Sequence, residues 1–532
     1  MSEAVRAGAV RPASRVQSVL WFVVNHPVRL LLVTVLLALV TGAGLQHASI
    51  NNSDRALFAR DNPGLQQLEA VESRFTKDDS VVIIVRPHDG DVFTRRNLTL
   101  LSELTEQAWT IPHTQRVDSL TNFQHTEVDG DDLNVTDLVS DPDRLSDGEL
   151  VRIRDIALRE PNLVRNVVSE RGHAATINVS VVTESDGGRE APAIMEYVEA
   201  LQADFRARYP DVDILLTGMV AFKAASQATT EHEIKTTSLF SMAAILLCLL
   251  VMLRSVSGVF VTLLVITLSN LIAMGTMVWF GVEITPVMAG APAIILTLAV
   301  ADSIHLLISY QQFLREGHAK QVAMYESLRV NAAPVFLTSI TTAIGFLCLN
   351  ASQSPPFVDM ANLVTIGVMA AWLLSMVFLP ALMMLLPAPK VTQRNERHAW
   401  MDHLADFVID HRKPVLVVSV LVFGGLAALS VKNQFNDVWI DYFDETYEVR
   451  RATDFMVQDI TGHHRLQFAF PSGVANGIMD PAYMQGLDRF AEWARQQPGV
   501  KYVSSFSDTI KRLNRDMHGG DPAFYKVPES GS

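Results

Sequence analysis

Long apolar runs, each close to 20 residues, recur along the chain between short polar links and two long polar regions. A helix of about 20 apolar residues crosses the hydrocarbon core of a bilayer, so each run predicts a membrane span. Short links between several runs predict antiparallel, packed neighbours. We predict seven spans, at residues 28–45, 238–253, 256–280, 287–310, 333–349, 363–386 and 415–431.

The spans divide the chain into seven segments. The first polar region reads as a folded α+β domain, because the β-branched runs 80–85 and 176–182 alternate with the helical pattern of 194–209. The predicted segments are a cytoplasmic amino terminus (1–27), a first span (28–48), an extracytoplasmic α+β domain (49–235), a bundle of spans two to six (236–387), a cytoplasmic linker (388–413), a seventh span (414–431) and a partial second extracytoplasmic domain (432–532).

Basic residues collect on every second connection between spans, as the positive-inside rule requires of cytoplasmic loops. The opposite side has Glu283 and no basic residue in its short loops. The pattern predicts a cytoplasmic amino terminus and a multi-pass protein of the inner membrane. The basic residues on the predicted cytoplasmic side include Arg6, Arg11, Arg15, Arg29, Arg254, Arg315, Lys320, Arg329, Lys390, Arg394, Arg397, Arg412 and Lys413.

The first apolar run has two interpretations. Arginines precede it and the small residues Gly42, Ala43 and Gly44 resemble a cleavage region, as in a secretory signal. A retained anchor is favoured, because the His26-Pro27-Val28 start of this run has a counterpart in His411, Pro414 and Val415 before the seventh run. Signal peptides do not recur in mid-chain.

This recurrence belongs to an internal repeat with a period of roughly 400 residues, much longer than the period of a solenoid. Duplicated units of a helix and an outer domain are a common construction of secondary transporters. The second unit is incomplete in this sequence. We therefore expect a longer chain, a partner protein or a homo-oligomer to supply the rest.

Composition narrows the function classes. A formal net charge of -14 argues against a nucleic-acid partner. Cys248 and Cys348 lie inside apolar runs, which excludes a secreted-type disulfide framework. Phosphate loops, nucleophile elbows and zinc spacings are missing from the sequence, and the adjacent His463 and His464 would face opposite sides of a strand. We predict no enzyme activity, no metal and no cofactor, with energy taken from an ion gradient.

The candidate chemistry lies in the fourth span. An ionisable side chain deep in an apolar helix costs a few kcal/mol or more and is functional by default. Asp302, His305 and Ser309 lie at i, i+3 and i+7, so we predict that they share one face turned into the bundle. A purely structural Asp302–His305 pair is the alternative. Hydroxyls of the fifth span either support the site or bond to their own helix backbone; they are Thr338, Ser339, Thr341 and Thr342.

Two motifs carry a resemblance to a known family: residues 299–306 (AVADSIHL) and 337–346 (LTSITTAIGF). In this order and on these spans they resemble the resistance-nodulation-division (RND) superfamily, in its MMPL and Patched-like branch of exporters. Leu298 and Ser303 depart from the residues that many relatives have there. The resemblance implies an RND-type fold, a multi-pass α-helical membrane protein with α+β, porter-like extracytoplasmic domains.

The same resemblance implies a proton-driven antiporter that exports lipids or other hydrophobic compounds, with H⁺ as the coupling ion. Asp302, His305 and Ser303 would form the proton relay, supported by Ser309, Thr341 and Thr342. Membrane lipids and a hydrophobic substrate are the expected partners. The alternative is a membrane protein that transports nothing: a sensor, in which spans two to six resemble a sterol-sensing arrangement and report lipid occupancy, or an assembly factor.

Overall fold

The structure is a computed structural model that describes residues 15–51, 53–75, 79–129, 132–183, 190–388, 399–434, 438–462 and 464–529 of the 532-residue chain. Several residues named above lie outside the described residues: Arg6, Arg11, Lys390, Arg394, Arg397 and His463. The chain forms two compact units, Met1–Ala59 with His232–Asp437 and Arg60–Glu231 with Val438–Ser532. We call them the membrane unit and the outer unit.

The described residues form helices and two small sheets. Helices α1 to α17 are, in order, Arg15–Asn25, Pro27–Gly42, Pro63–Glu72, Arg95–Ala108, Asp147–Arg159, Ala191–Arg208, Met219–Leu253, Val256–Trp279, Ala291–Arg315, Lys320–Leu347, Pro355–Met376, Phe378–Leu385, Ala399–Asp410, Arg412–Leu429, Glu448–Asp459, Pro481–Arg495 and Phe506–Met517. Strands β1 to β6 are Asp79–Pro87, Thr114–Asp118, Gln124–Asp129, Asp132–Asp137, Ala175–Val181 and Val212–Thr217.

Six helical segments among the described residues are long and apolar enough to cross a membrane. They match six of the seven predicted spans and confirm a multi-pass membrane protein. They are Pro27–His47, Val256–Trp279, Pro286–Arg315, Lys320–Ala351, Pro355–Leu385 and Arg412–Lys432.

The structure differs from the prediction at the span 238–253. It forms the last part of α7, a helix of 35 residues that begins much earlier, at Met219. The apolar stretch of its described residues, Met242–Leu253, is shorter than the about 20 residues that a crossing needs. Nothing breaks the helix between its polar and apolar parts, so the start of the apolar run is not the start of a helix.

Helices α8 to α11 pack against one another and form the core of the membrane unit. Glycines end two of them: Gly281 follows α8 with φ 76° and Gly317 follows α9 with φ 86°. Only glycine adopts this left-handed conformation without steric cost, and it lets the chain reverse direction after a helix. The turns therefore set the antiparallel order of α8, α9 and α10.

Helix α2 packs on α8 through glycines. A Cβ added at Gly275 would lie 2.1 Å from the Thr41 carbonyl oxygen, and one added at Gly44 would lie 2.4 Å from the Gly275 carbonyl oxygen. The Trp279 Nε1–H donates to the Val40 carbonyl oxygen at 3.1 Å beside this contact. Small residues let helix backbones approach closely in membranes. The small residues at the end of the first run thus have a packing role in α2 and the turn after it.

The outer unit contains an antiparallel sheet of order β2-β5-β1-β6. Side chains alternate between the faces of β1, and Val81, Ile83 and Val85 join the core formed with α4 and α6. Val82 and Ile84 point to the opposite face and join a second, smaller core. This sheet with its helices confirms the predicted α+β character of the outer region.

Helix α15, which comes after the seventh span, covers that second face. Ala452, Met456 and Ile460 pack with Val82 and Ile84. Polar contacts fix its position on the sheet: Thr217 to Thr453 at 2.6 Å, Arg206 to Glu448 at 2.9 Å, and His173 to Asp459 at 3.1 Å. Part of the second repeat is therefore folded onto the sheet of the first.

The two repeats also agree in side-chain detail. His26 stacks on Phe22 with ring centroids 4.3 Å apart, and His411 stacks on Phe407 at 4.7 Å. In each pair the histidine Nδ1 lies near the backbone oxygen of the phenylalanine, at 3.3 Å and 3.1 Å. The same short motif thus ends α1 and α13 before each of the two spans, which supports the repeat found in the sequence.

Candidate functional site

The candidate site is formed where α9 packs against α10 in the membrane unit. Asp302 on α9 is 3% exposed, and the Ser339 hydroxyl on α10 donates to its Oδ2 at 3.3 Å. The same hydroxyl lies 3.0 Å from the Val335 carbonyl oxygen, one turn earlier on α10. Asp302 has no ion pair with a cation among the described residues. The carboxyl group is thus buried and held by one neutral donor.

Ser303 lies beside it on the buried face of α9. This face includes Ile295, Ala299, Leu306 and Tyr310, all fully buried, at intervals of three or four residues. Ser303 is 0% exposed, and its hydroxyl has no hydrogen-bond partner in the described part of the chain. Ser303 therefore lies next to Asp302 on the buried face of α9, and its part in a relay stays a prediction.

His305 is placed differently from the prediction. Its side chain is exposed, and no hydrogen bond or ion pair joins it to Asp302 among the described residues. Three residues turn a helix by about 300°, so His305 lies about 60° from Asp302 on the side away from Ser303. Asp302 marks one edge of the buried face, and His305 falls beyond that edge. The prediction that His305 shares an inward face with Asp302 is therefore wrong. Its part in a proton relay stays a prediction.

The hydroxyl side chains that were predicted to support the site also differ in their contacts. The Thr341 hydroxyl donates to the Leu337 carbonyl oxygen, and the Thr342 hydroxyl to that of Thr338, both at 2.8 Å. Each is a bond to the same helix, the alternative that the sequence left open. Ser309 is partly buried on α9. Ser339 is the hydroxyl that reaches the carboxylate, which spacing alone did not reveal because four hydroxyls lie within five positions.

In the described part of the chain, no group of three or more His, Cys, Asp or Glu side chains is placed to hold a metal ion. The free thiols Cys248 and Cys348 are exposed on the membrane unit. The carboxyl group of Asp302 is chemically able to bind and release a proton.

Comparison with known proteins identifies the family. The MMPL family model matches residues 56–415, which include the whole of α3 to α13 and the candidate site. The chain belongs to the MMPL family. Its membership confirms the resemblance to the MMPL branch of the RND superfamily, and with the six apolar helices it confirms the fold class.

Two relatives illustrate the range of MMPL proteins that this chain is similar to. A protein of Methanocaldococcus jannaschii named as a membrane protein, MJ1562, is 19% identical over 370 residues, which cover 68% of this chain and 91% of that protein. A protein of Mycobacterium tuberculosis named as the transport protein MmpL1 is 24% identical over 358 residues, which cover 64% of this chain. The match spans only 36% of the mycobacterial protein. This MMPL chain is accordingly a multi-pass membrane protein of the RND transporter kind.

Proposed function

We propose that the chain is a proton-driven exporter of lipids or other hydrophobic compounds, in which Asp302 binds and releases the coupling proton. The observation that carries the proposal is the burial of this carboxyl group at 3% exposure with Ser339 as its hydrogen-bond donor. Family membership and the transport protein among the relatives favour export over other roles of a membrane bundle.

The physical basis is the cost of a buried charge. A charged side chain in the centre of a bilayer costs at least a few kcal/mol, and one neutral hydroxyl offsets only part of that cost. A bundle that buries Asp302 while it carries a proton, and exposes it to water when it is charged, couples proton binding to a change in packing. Alternating packing of repeated units around a site near the middle of the membrane is the usual mechanism of secondary transporters.

Direction and location follow from the same proposal. Export from the inner membrane, with the amino terminus in the cytoplasm, agrees with basic residues such as Arg254 and Arg315 at one end of the bundle and Glu283 at the other. Protons would then enter Asp302 from the outer side and leave toward the arginine side. A lipid or another hydrophobic compound is the proposed substrate.

The experiment compares Asp302→Asn with Asp359→Asn in proteoliposomes that contain a pH-sensitive dye. Asp359 is a carboxylate of α11 that is only partly buried, so it controls for the loss of one membrane carboxyl. An imposed pH gradient should drive proton flux and extrusion of a fluorescent phospholipid in the unmodified chain. Asp302→Asn should lower both at least tenfold at equal abundance, and Asp359→Asn should leave them within twofold.

Two outcomes would contradict the proposal. Proton flux that survives in Asp302→Asn would remove the carboxyl group from the mechanism. Tight lipid binding without proton flux or extrusion in the unmodified chain would instead favour a lipid-sensing protein.

A further inference from the structure

The buried face of α9 differs in character on the two sides of Asp302. We call residues 291–301 the first half of this helix and residues 303–315 its second half. In the second half, the buried face carries the hydroxyl groups of Ser303 and Tyr310. In the first half it is apolar, and its buried residues are Ala291, Ile295 and Ala299. On α9, the buried polar groups near the carboxyl group therefore lie on one side of it.

A close helix contact closes the interface in the first half of α9. A Cβ added at Gly367 on α11 would lie 2.3 Å from Cδ1 and 2.5 Å from Cγ1 of Ile295. The glycine thus lets α11 approach α9 closely, as small residues commonly do in membranes. A contact that has no room for a methyl group has none for a water molecule either.

The two hydroxyl groups of the second half are buried without a protein partner. Ser303 and Tyr310 are both 0% exposed, and no described residue lies within hydrogen-bond distance of either hydroxyl. A serine in a helix commonly donates to a carbonyl oxygen of the preceding turn, as Ser339 does to Val335 at 3.0 Å. Buried hydroxyl groups nearly always bond to protein or to ordered water. Water is therefore the partner that these two groups require.

A third hydroxyl of this kind belongs to Ser375 on α11. It is 0% exposed and also lacks a hydrogen-bond partner in the described part of the chain. Helices α9 and α11 run in the same direction, because α10 connects them and is antiparallel to both. Ser303 follows Ile295 by eight residues, and Ser375 follows Gly367 by eight. Both hydroxyl groups therefore lie at about the depth of Asp302.

Polar contacts continue along the second half of α9. Ser303 and Tyr310 are seven residues apart, so they share a face and are separated by about 10 Å along the helix axis. Between them, the Ser327 hydroxyl on α10 donates to the Leu306 carbonyl oxygen at 2.7 Å. Beside Tyr310, the Gln311 Nε2 donates to a backbone carbonyl oxygen of α7 at 2.9 Å. Polar groups thus recur about every 5 Å, a gap that one water molecule with two hydrogen bonds spans.

We propose that ordered water lies along the second half of α9 and, with the hydroxyl groups of Ser303 and Tyr310, conducts the proton between Asp302 and the Arg315 end of the bundle. This inference rests on the proposed function, in which Asp302 binds and releases the coupling proton. The close contact in the first half makes this conformation the one in which the carboxyl group communicates with the Arg315 end.

The transfer leaves both hydroxyl groups unchanged. The O–H bond of the Asp302 carboxyl group breaks, and its proton passes to the oxygen atom next to it in the chain of water and hydroxyl groups. Each oxygen atom that gains a proton passes another one on, so one proton leaves at the Arg315 end. Asp302 becomes a carboxylate, while Ser303 and Tyr310 stay neutral.

X-ray footprinting of the full chain in nanodiscs tests for the water directly. Brief radiolysis converts water into hydroxyl radicals in place, so a buried side chain is oxidised quickly only where water lies beside it. Leu306 and Ile295 are a matched pair, since both are aliphatic, lie on the buried face of α9 and are 0% exposed. Leu306 should be oxidised at least fivefold faster than Ile295. Equally slow oxidation of the two would overturn the proposal.

Proton flux in proteoliposomes tests the part of Tyr310. Tyr310→Phe removes only the hydroxyl group and should lower the flux at least tenfold, with an unchanged thermal midpoint. The control is Tyr325→Phe on α10, because Tyr325 is also buried and packs edge-on against Trp21 with ring centroids 5.2 Å apart. It should keep the flux within twofold. A flux within twofold of the unmodified chain in Tyr310→Phe would remove this hydroxyl from the route.

The route and the proposed function can fail separately. If Asp302→Asn abolishes flux but Leu306 and Ile295 are oxidised equally slowly, the route is wrong and the function stands. If Leu306 is oxidised quickly but Asp302→Asn retains flux, the function is wrong and the second half of α9 still holds water.

Discussion

The contact between α2 and α8 allows a prediction with a calculable size, for the change Gly275→Ala. The new Cβ would lie 2.1 Å from the Thr41 carbonyl oxygen and 2.9 Å from Gly42 Cα, both backbone atoms that no rotamer change can move. Relief requires α2 to shift by more than about 1 Å, since ordinary contacts begin near 3.4 Å. Overpacking of this kind costs about 1–3 kcal/mol.

Two further contributions change the expected destabilisation by Gly275→Ala. The same shift stretches the bond from Trp279 Nε1 to the Val40 carbonyl oxygen, now 3.1 Å, and a lost hydrogen bond costs about 1 kcal/mol. The higher helix propensity of alanine offsets up to about 1 kcal/mol of this destabilisation. We therefore expect a net destabilisation of about 1–3 kcal/mol for Gly275→Ala.

Gly424→Ala is the matched control, because Gly424 lies in α14 and a Cβ there would have no neighbour within 4 Å. Thermal unfolding in detergent, followed by the fraction of protein that remains monodisperse, should give a clearly lower midpoint for Gly275→Ala only. Equal midpoints for the two variants would refute the close backbone contact as the reason for glycine at position 275.

Two predictions concern the outer unit. Lys511→Met should lower the free energy of unfolding in urea by about 3–5 kcal/mol through the contact of α16 with α17. Lys511 is 5% exposed, and its Nζ lies 2.7 Å from Asp488 and 3.2 Å from Asp508. Lys526→Met, at an exposed position, should change the free energy of unfolding little, and equal effects of the two variants would contradict the role of burial. Burial lowers the pKa of His125 in β3, with smaller opposing contributions from acidic neighbours that include Asp516. The folded state therefore binds fewer protons than the unfolded state below about pH 6.5, so stability should be full above that pH and fall as the pH drops toward the lowered pKa. The melting midpoints at pH 7.5 and pH 5.5 should converge in His125→Gln. An unchanged difference between the two midpoints would show that another group causes the pH dependence.

The membrane spans were predictable because hydropathy is a local property of the chain. Six apolar runs became helices of sufficient length, and the alternation of β1 was visible in the sequence as a β-branched run. Hydropathy does not predict the helix boundary at 238–253, where the apolar run is the end of a longer helix. A change in composition marks where lipid can begin, and it does not mark where a helix begins.

The rotation of each helix could not be read from the same pattern. Apolar residues surround α9 on all sides, so its spacing is compatible with several inward faces. The stripe of Asp302, His305 and Ser309 was one of them, and the neighbouring helices select another that includes Ser303 and Tyr310. Ser339 was hidden for the same reason, because only the packing of α10 on α9 distinguishes it from the adjacent threonines.

The packing of α15 on the first sheet explains why these parts of both repeats form one compact unit. Without α15, the face of Val82 and Ile84 would lie in water, and this loss of apolar burial would leave the first sheet covered on one side only. By its place after a span and before a strand-like segment, α3 is the counterpart of α15 in the first repeat. Leu68 of α3 and Phe75, three residues after its end, are 45% and 59% exposed. A helix of the second repeat that covers the sheet of the first makes the stability of the first repeat depend on the second, so its removal would expose the apolar face of Val82 and Ile84.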